Sequence, residues 1–178
     1  TLAEVDNPTV DWNLIKNGET AVLADELEGS LTNDGGNIRF KDKGVYMLTG
    51  SITDETGRIF ETSKTITIYP VGSIGFYVPE ITHTDTTVSV ESRFENLGDA
   101  TIQWSLSKDG KEIALTDAVQ GKLTNGGGSI LFKEKGEYVL KAAFTDPAGR
   151  TYSYIAPVKV YPIPGISYTL PETAHTDT

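Results

Sequence analysis

The chain has 178 residues, of which 38% are hydrophobic and 9% aromatic, with two histidines and no cysteine. That leaves no thiol chemistry and too few soft ligands for a zinc centre, and no apolar run approaches the roughly 20 residues that span a bilayer. A net charge of −10 disfavours nucleic acid and anionic membrane as partners, since both select basic surfaces.

Taken in order along the chain, short alternating segments separated by turn residues dominate. Val10, Trp12 and Leu14 share one face of a first strand. Asn17-Gly18 then gives a two-residue hairpin signal. Leu23–Leu27 is the best candidate for helix, at most one turn. Asn33-Asp34-Gly35-Gly36 is a break, and a longer strand follows from Gly44 to the turn before Gly57. Ile74, Phe76 and Val78 form a further strand, and Val88, Val90 and Phe94 the next. Ile102, Trp104 and Leu106 alternate with Gln103, Ser105 and Ser107, ahead of an Asp109-Gly110 hairpin. A short strand lies near Ile113–Leu115, and Leu115–Val119 offers one more helical turn. After Asn125-Gly126-Gly127-Gly128, Ile130 and Phe132 share a face. Tyr138, Leu140, Ala142 and Phe144 form a long inward row. Asp146-Pro147-Ala148-Gly149 turns the chain into a last strand, Arg150–Tyr161, with Val158 and Val160 facing in.

An internal repeat organises these elements. Trp12 and Trp104 are 92 residues apart, and the same offset joins Leu31-Thr32-Asn33 to Leu123-Thr124-Asn125 and Tyr46 to Tyr138. It also joins Gly57-Arg58 to Gly149-Arg150, and His83-Thr84-Asp85-Thr86 to His175-Thr176-Asp177-Thr178, without a gap. A period of this length suits one sandwich domain per repeat and is too long for a solenoid unit. The fold expected is all-β, two tandem sandwich domains. Counting Ile74–Val78 as a first strand makes 1–70 the first repeat, without its own first strand. It makes 71–162 the second repeat and 163–178 the start of a following one. The alternative frame is 1–86 and 87–178. In the first frame an unpaired edge and an unused strand invite pairing within or between molecules. The acidity is uneven: residues 1–86 carry 14 acidic and 6 basic side chains, residues 87–178 carry 11 and 9. Without cysteine each domain is held by packing alone, which fits a bacterial exported protein, and the chain reads as a piece of a longer one.

The run from Gly136 to Gly149, with Tyr138 two residues in and Asp146 at the turn, is similar to the closing hairpin of PKD-type and bacterial immunoglobulin-like domains. Gly44–Gly57 repeats its spacing. Trp104, just before a hairpin, resembles the strand-C tryptophan of the immunoglobulin fold. The whole repeat looks like the tandem modules of large surface proteins of gut Firmicutes. Some proteins of that kind bind immunoglobulin variable domains in the manner of B-cell superantigens. The resemblance implies a cell-surface or secreted location and a host protein, immunoglobulin among them, as ligand.

Candidate chemistry is sparse, and the chain reads as a non-enzymatic module without a cofactor. His83 and Asp85, like His175 and Asp177, lack a third metal ligand nearby. Asp54 and Asp146 lack the alternating ligand series of a calcium loop and fit turn-fixing carboxylates better. The Asn-Gly-rich stretches lack the Lys-Ser/Thr of a phosphate loop. Trp12, Trp104, Tyr46 and Tyr138 read as core. Exposed apolar groups are the better leads: Ile15, Leu131, Val139, Tyr152 and its neighbour Tyr154 are expected on outward registers, where a cluster would make an interface. Three functions remain open: a binding module for a host protein or glycan, a passive stalk beside neighbouring repeats, and an accessory domain of a carbohydrate-active enzyme.

Overall fold

The structure is a computed structural model, described for residues 9–167 and 169. It divides into two compact units, Thr1–Val71 and Gly72–Thr178.

Unit 2 is a two-layer sandwich. One sheet holds β10 (Gln103–Lys108), β11 (Lys111–Ile113), β14 (Gly136–Thr145), β15 (Thr151–Tyr161) and β8 (Ile81–His83), in the order β11-β10-β14-β15-β8. The other holds β7 (Ser73–Tyr77), β9 (Val88–Glu95), β12 (Val119–Thr124) and β13 (Gly127–Phe132), in the order β12-β13-β9-β7. A single helical turn, α2 (Leu115–Ala118), joins the layers. All pairings are antiparallel except β15 with β8. Alternation places the inner rows. Tyr138, Leu140, Ala142 and Phe144 from β14 and Val158 and Val160 from β15 meet Val88 and Val90 from β9 and Ile130 and Phe132 from β13 in one core. Because side chains along a strand have a period of two, a single inward residue fixes the face of all the others.

Unit 1 repeats part of this plan. It comprises β1 (Asp11–Lys16), β2 (Glu19–Ala21), α1 (Leu23–Glu26), β3 (Leu27–Gly29), β4 (Ile38–Phe40), β5 (Gly44–Thr53) and β6 (Ile59–Ile68). One sheet runs β2-β1-β5-β6, and β3 pairs with β4. Both expected helical turns are present, at the two positions related by the repeat. Among the described residues unit 1 has no counterpart of β7, β8 or β9. The chain around Ile74–Thr82 is two strands rather than one, because it crosses from one sheet to the other: β7 pairs with β9 and β8 with β15. Hydrophobic alternation does not register such a crossover. The core reflects it. Among the described residues, seventeen hydrophobic residues are buried in unit 2, and Leu14, Leu27 and Tyr46 in unit 1.

The repeated motifs are structural. Asn17 (φ 52°) and Gly18 (φ 91°), like Asp109 (50°) and Gly110 (80°), are both left-handed, as the tight hairpin between twisted strands requires. Trp12 Nε1 donates to the Thr32 carbonyl at 3.1 Å and Trp104 Nε1 to the Thr124 carbonyl at 3.0 Å. The next residue of each motif latches the entering strand: Asn33 Oδ1 accepts from the Val10 N–H at 3.0 Å, and Asn125 Oδ1 from the Ile102 N–H at 2.8 Å. The Leu-Thr-Asn repeat thus fastens each tryptophan strand to the opposite layer. Tyr138 Oη donates to the Glu134 carbonyl at 2.9 Å, and Tyr46 Oη lies 3.1 Å from the Asp42 carbonyl, a tyrosine corner in each unit. Asp54 Oδ1 accepts from the N–H groups of Thr56 and Arg58, and Asp146 Oδ1 from that of Arg150. These carboxylates hold their turns.

Unit 1 carries a charge cluster beside its core. Lys16 Nζ bridges Glu26 (2.8 Å) and Asp42 (3.1 Å) beside the Tyr46 ring. Three carboxyls are held below their ordinary range. Glu26 is lowered by the Lys16 and Tyr46 hydrogen bonds, and Asp42 by Lys16 and the Lys43 N–H. Asp54 is lowered by the Thr56 hydroxyl and the Arg58 N–H. A carboxyl depressed by folding contributes stability in full above its unfolded pKa and loses it as pH falls through the lower folded value. Lys16 is raised by Glu26 and Asp42, so its contribution is lost only at strongly alkaline pH. The urea midpoint of unit 1, read from Trp12 fluorescence in a Trp104→Phe chain, is expected to be level near neutrality and to drop below about pH 4. Asp54→Asn should flatten that drop. An unchanged pH profile in that variant would contradict the assignment.

Candidate surface on the outer sheet of unit 2

The outward face of the β10-β14-β15 sheet follows from its register. Leu140 opposite Ala156 and Tyr138 opposite Val158 face the core. The intervening pairs therefore face out: Val139 opposite Pro157, and Lys141 opposite Ile155. Ser107 and Ser105 continue these rows on β10. Ile155 is 60% exposed, and Ile81, beside Lys159 on the parallel edge strand β8, is 61% exposed. Val139 is half-buried between its cross-strand neighbours. Val139, Pro157 and Ile155 form an apolar row, and a shallow depression of about 390 Å³ between β8 and β14 extends it to Ile81 and Glu80. Its margin is charged. Lys159 Nζ lies 3.4 Å from Glu137 Oε1 and 5.6 Å from the centre of the Tyr161 ring, and the Glu137 hydrogen bond raises the lysine above its ordinary range. A dry centre with a polar rim is the ordinary anatomy of a protein-binding patch.

The five residues proposed from sequence do not come together. Val139 is central to the row. Tyr152 and Tyr154 are not on the outward register. They follow Val160, Val158 and Ala156 in steps of two, so they lie over the core side. Tyr152 stacks on Phe144 at 5.0 Å, with its Oη 3.2 Å from Asp146 Oδ2, and is a core-margin residue. Tyr154 packs edge-on against Phe76 at 5.2 Å and is 45% exposed at the open rim. Leu131 lies on β13, opposite Gln120 and between the buried Ile130 and Phe132. It therefore faces outward from the other sheet, away from Val139. Ile15 is in unit 1, where it pairs with Met47 and Thr20. Ile155, Pro157 and Ile81 were missed. Counting in twos from Lys159, which lies between the inward Val158 and Val160 on β15, identifies the first two. Ile81 carries no such signal, since its place beside Lys159 depends on a parallel pairing across the fold.

The surface differs between the repeats. The counterparts of Val139, Ile155 and Pro157 are Met47, Ser63 and Thr65, so the apolar row of unit 1 shifts toward Ile15 and Met47 on β1 and β5. Elsewhere, the His83 ring packs 6.2 Å from the Tyr161 ring, while His175 and Asp177 lie outside the described residues. Among the described residues, no cluster of three or more His, Cys, Asp or Glu could hold a metal, and no helix is long and apolar enough to cross a membrane.

Comparison with known proteins gives a fold and no family. No family model matches the chain, and no curated protein matches it either. Among solved structures, extracellular domains 3–5 of Drosophila OTK align over 88% of this chain and 52% of that one, with a TM-score of 0.54 and 22% identity. The I67–I69 I-band fragment of titin aligns over 86% and 56%, at 0.46 and 12%, and murine CEACAM1b over 89% and 88%, at 0.46 and 15%. The chain spans about half the length of the first two. At such identities the likeness concerns architecture alone, and with the sheet orders above it makes this chain an all-β protein of tandem immunoglobulin-like sandwich domains.

Proposed function

We propose that this chain is a non-enzymatic binding module of a bacterial surface or secreted repeat protein, and that it engages a host protein, namely immunoglobulin variable domains. The observation that carries the reading is the outward apolar row Val139–Pro157–Ile155 with Ile81, rimmed by Glu137, Lys141 and Lys159. Exposed aliphatic side chains in a contiguous row on a rigid sheet cost solubility, and a partner that covers them is the physical return. A flat, mixed sheet face fits another sheet face better than it fits a small molecule, which needs a concave site. Val139 serves as a central contact. Ile15 with Met47 would form a second, weaker contact in unit 1, so that tandem repeats add avidity rather than duplicate one site. The domain frame that goes with this reading is 1–70 and 71–162, with 163–178 opening a further repeat.

The test is binding of the immobilised chain to pooled human immunoglobulin, with Fab and Fc run separately. Saturable Fab binding independent of antigen specificity is expected. A Val139→Glu, Ile155→Glu double variant should weaken it by about a hundredfold or more, because it buries two unpaired charges. Fab binding that survives that variant moves the site elsewhere. Absence of any Fab or Fc binding removes the immunoglobulin reading and leaves a spacer between other domains.

A further inference from the structure

In unit 2 the outer side of β15 is covered along part of its length. β8 pairs with Lys159, Val160 and Tyr161. Among the described residues, no strand pairs with the outer side of residues 151–156. The chain on both sides of this gap is in place, since β7 runs to Tyr77 and β8 resumes at Ile81. The crossing between those strands leaves a groove of about 440 Å³ against β15, whose walls include Phe76, Tyr77, Glu80, Tyr154 and Ile155. Tyr77, Tyr154 and Ile155 are large apolar side chains exposed at its rim.

The main-chain groups on that side follow from the alternation of an antiparallel ladder. The Lys159 N–H donates to the Glu80 carbonyl at 2.7 Å, so Lys159 turns its main chain away from β14. Counting in twos along the register, Pro157, Ile155, Ser153 and Thr151 do the same. Pro157 has no N–H to offer and ends the run. The open edge is therefore the N–H and C=O groups of Thr151, Ser153 and Ile155, with Ser153 at its centre. Sheet edges are normally guarded by charge. This one is not: no charged residue lies between Arg150 and Lys159. By the 92-residue offset, β6 has Glu61 at the Ser153 position and Lys64 at the Ala156 position.

We propose that this edge pairs with the same edge of a second copy, antiparallel, about a two-fold axis at Ser153. Ser153 then lies opposite Ser153 of the second copy, and Thr151 opposite Ile155 of the second copy. In that register every outward N–H and C=O of the three residues is bonded. A centre on Tyr154 would set Thr151 against Pro157 and lose a hydrogen bond at each end. On the core-side face, Tyr152 of one copy and Tyr154 of the other become cross-strand neighbours, an aromatic pairing that sheets favour. The ends match in charge. Neither Arg150 nor Glu80 forms an ion pair among the described residues. The register sets Arg150 opposite Ala156 of the second copy, beside the groove that Glu80 lines, so an arginine meets a glutamate at both ends. Because the contact is isologous, it closes at two copies. It does not depend on the immunoglobulin reading.

The experiment is sedimentation of the full chain across a concentration series, with no immunoglobulin present, beside Ser153→Glu and Ser153→Cys variants. Expected is a weight-average mass that rises with concentration and levels at two copies. Ser153→Glu sets two carboxylates opposite each other across the axis and should weaken association by about tenfold or more. The unfolding transition of unit 2 should stay where it was, because the Ser153 side chain is exposed. Ser153→Cys, in a chain without cysteine, should crosslink to itself under mild oxidation. Directly opposed residues of a hydrogen-bonded pair have Cα atoms about 5.5 Å apart, within disulfide reach. Lys111→Cys, on the far edge strand β11, should not crosslink under the same conditions. Monomeric mass at every concentration would overturn the proposal, as would a mass that climbs past two copies. Association that Ser153→Glu leaves intact, or equal crosslinking of the two cysteine variants, would place the contact elsewhere and overturn it too.

Discussion

Phe76→Ala in unit 2 is expected to cost about 3–5 kcal/mol, among the largest effects of any single substitution in this chain. Phe76 is buried and touches two rings from the opposite sheet, Trp104 and Tyr154, each in an edge-to-face arrangement. Truncation removes the transfer energy of the ring, both aromatic contacts and the wedge that keeps β7 against β15. A sandwich of this size loses roughly 4–8 °C of Tm per kcal/mol, so the unit 2 transition should fall by more than about 10 °C. The measurement is thermal unfolding of a Trp12→Phe chain followed through Trp104, whose environment the mutation also opens. A fall of only a few degrees would mean that the site collapses onto itself.

Unit 1 is expected to unfold well before unit 2. Among the described residues its buried hydrophobic side chains are Leu14, Leu27 and Tyr46, against seventeen in unit 2. Burial of each large apolar side chain contributes on the order of 1.5–3 kcal/mol before entropy is counted. The ion pairs around Lys16 are partly exposed and restore little of that. Urea unfolding of the Trp104→Phe and Trp12→Phe chains should therefore give separate midpoints, with the Trp12 transition lower by a molar unit or more. Coincident midpoints would show the two units folding as one cooperative block.

How much of this was legible in the sequence depends on how local each determinant is. The hairpins at Asn17-Gly18 and Asp109-Gly110 were legible because a two-residue turn needs residues that tolerate left-handed backbone, and those residues announce themselves. The row Tyr138-Leu140-Ala142-Phe144 was legible because a period of two against water is a property of one strand. The tandem plan was legible because duplication leaves the same residues at one offset. Tyr152 was misplaced for a different reason. Near the start of β15 the inward row becomes aromatic and half-exposed, so hydrophobicity no longer separates the faces, and only the unbroken register from Val160 does.

The sequence by itself determined the class of fold, the repeat of 92 residues, the core strands and the turn chemistry, since each depends on residues near one another in the chain. The tertiary structure decided the rest. It split Ile74–Thr82 between two sheets, set Ile81 beside Lys159, and separated Leu131 from Val139 on opposite faces. These features depend on which strand lies next to which, and strand neighbours are chosen by packing across the whole core rather than by any property of the strands taken one at a time.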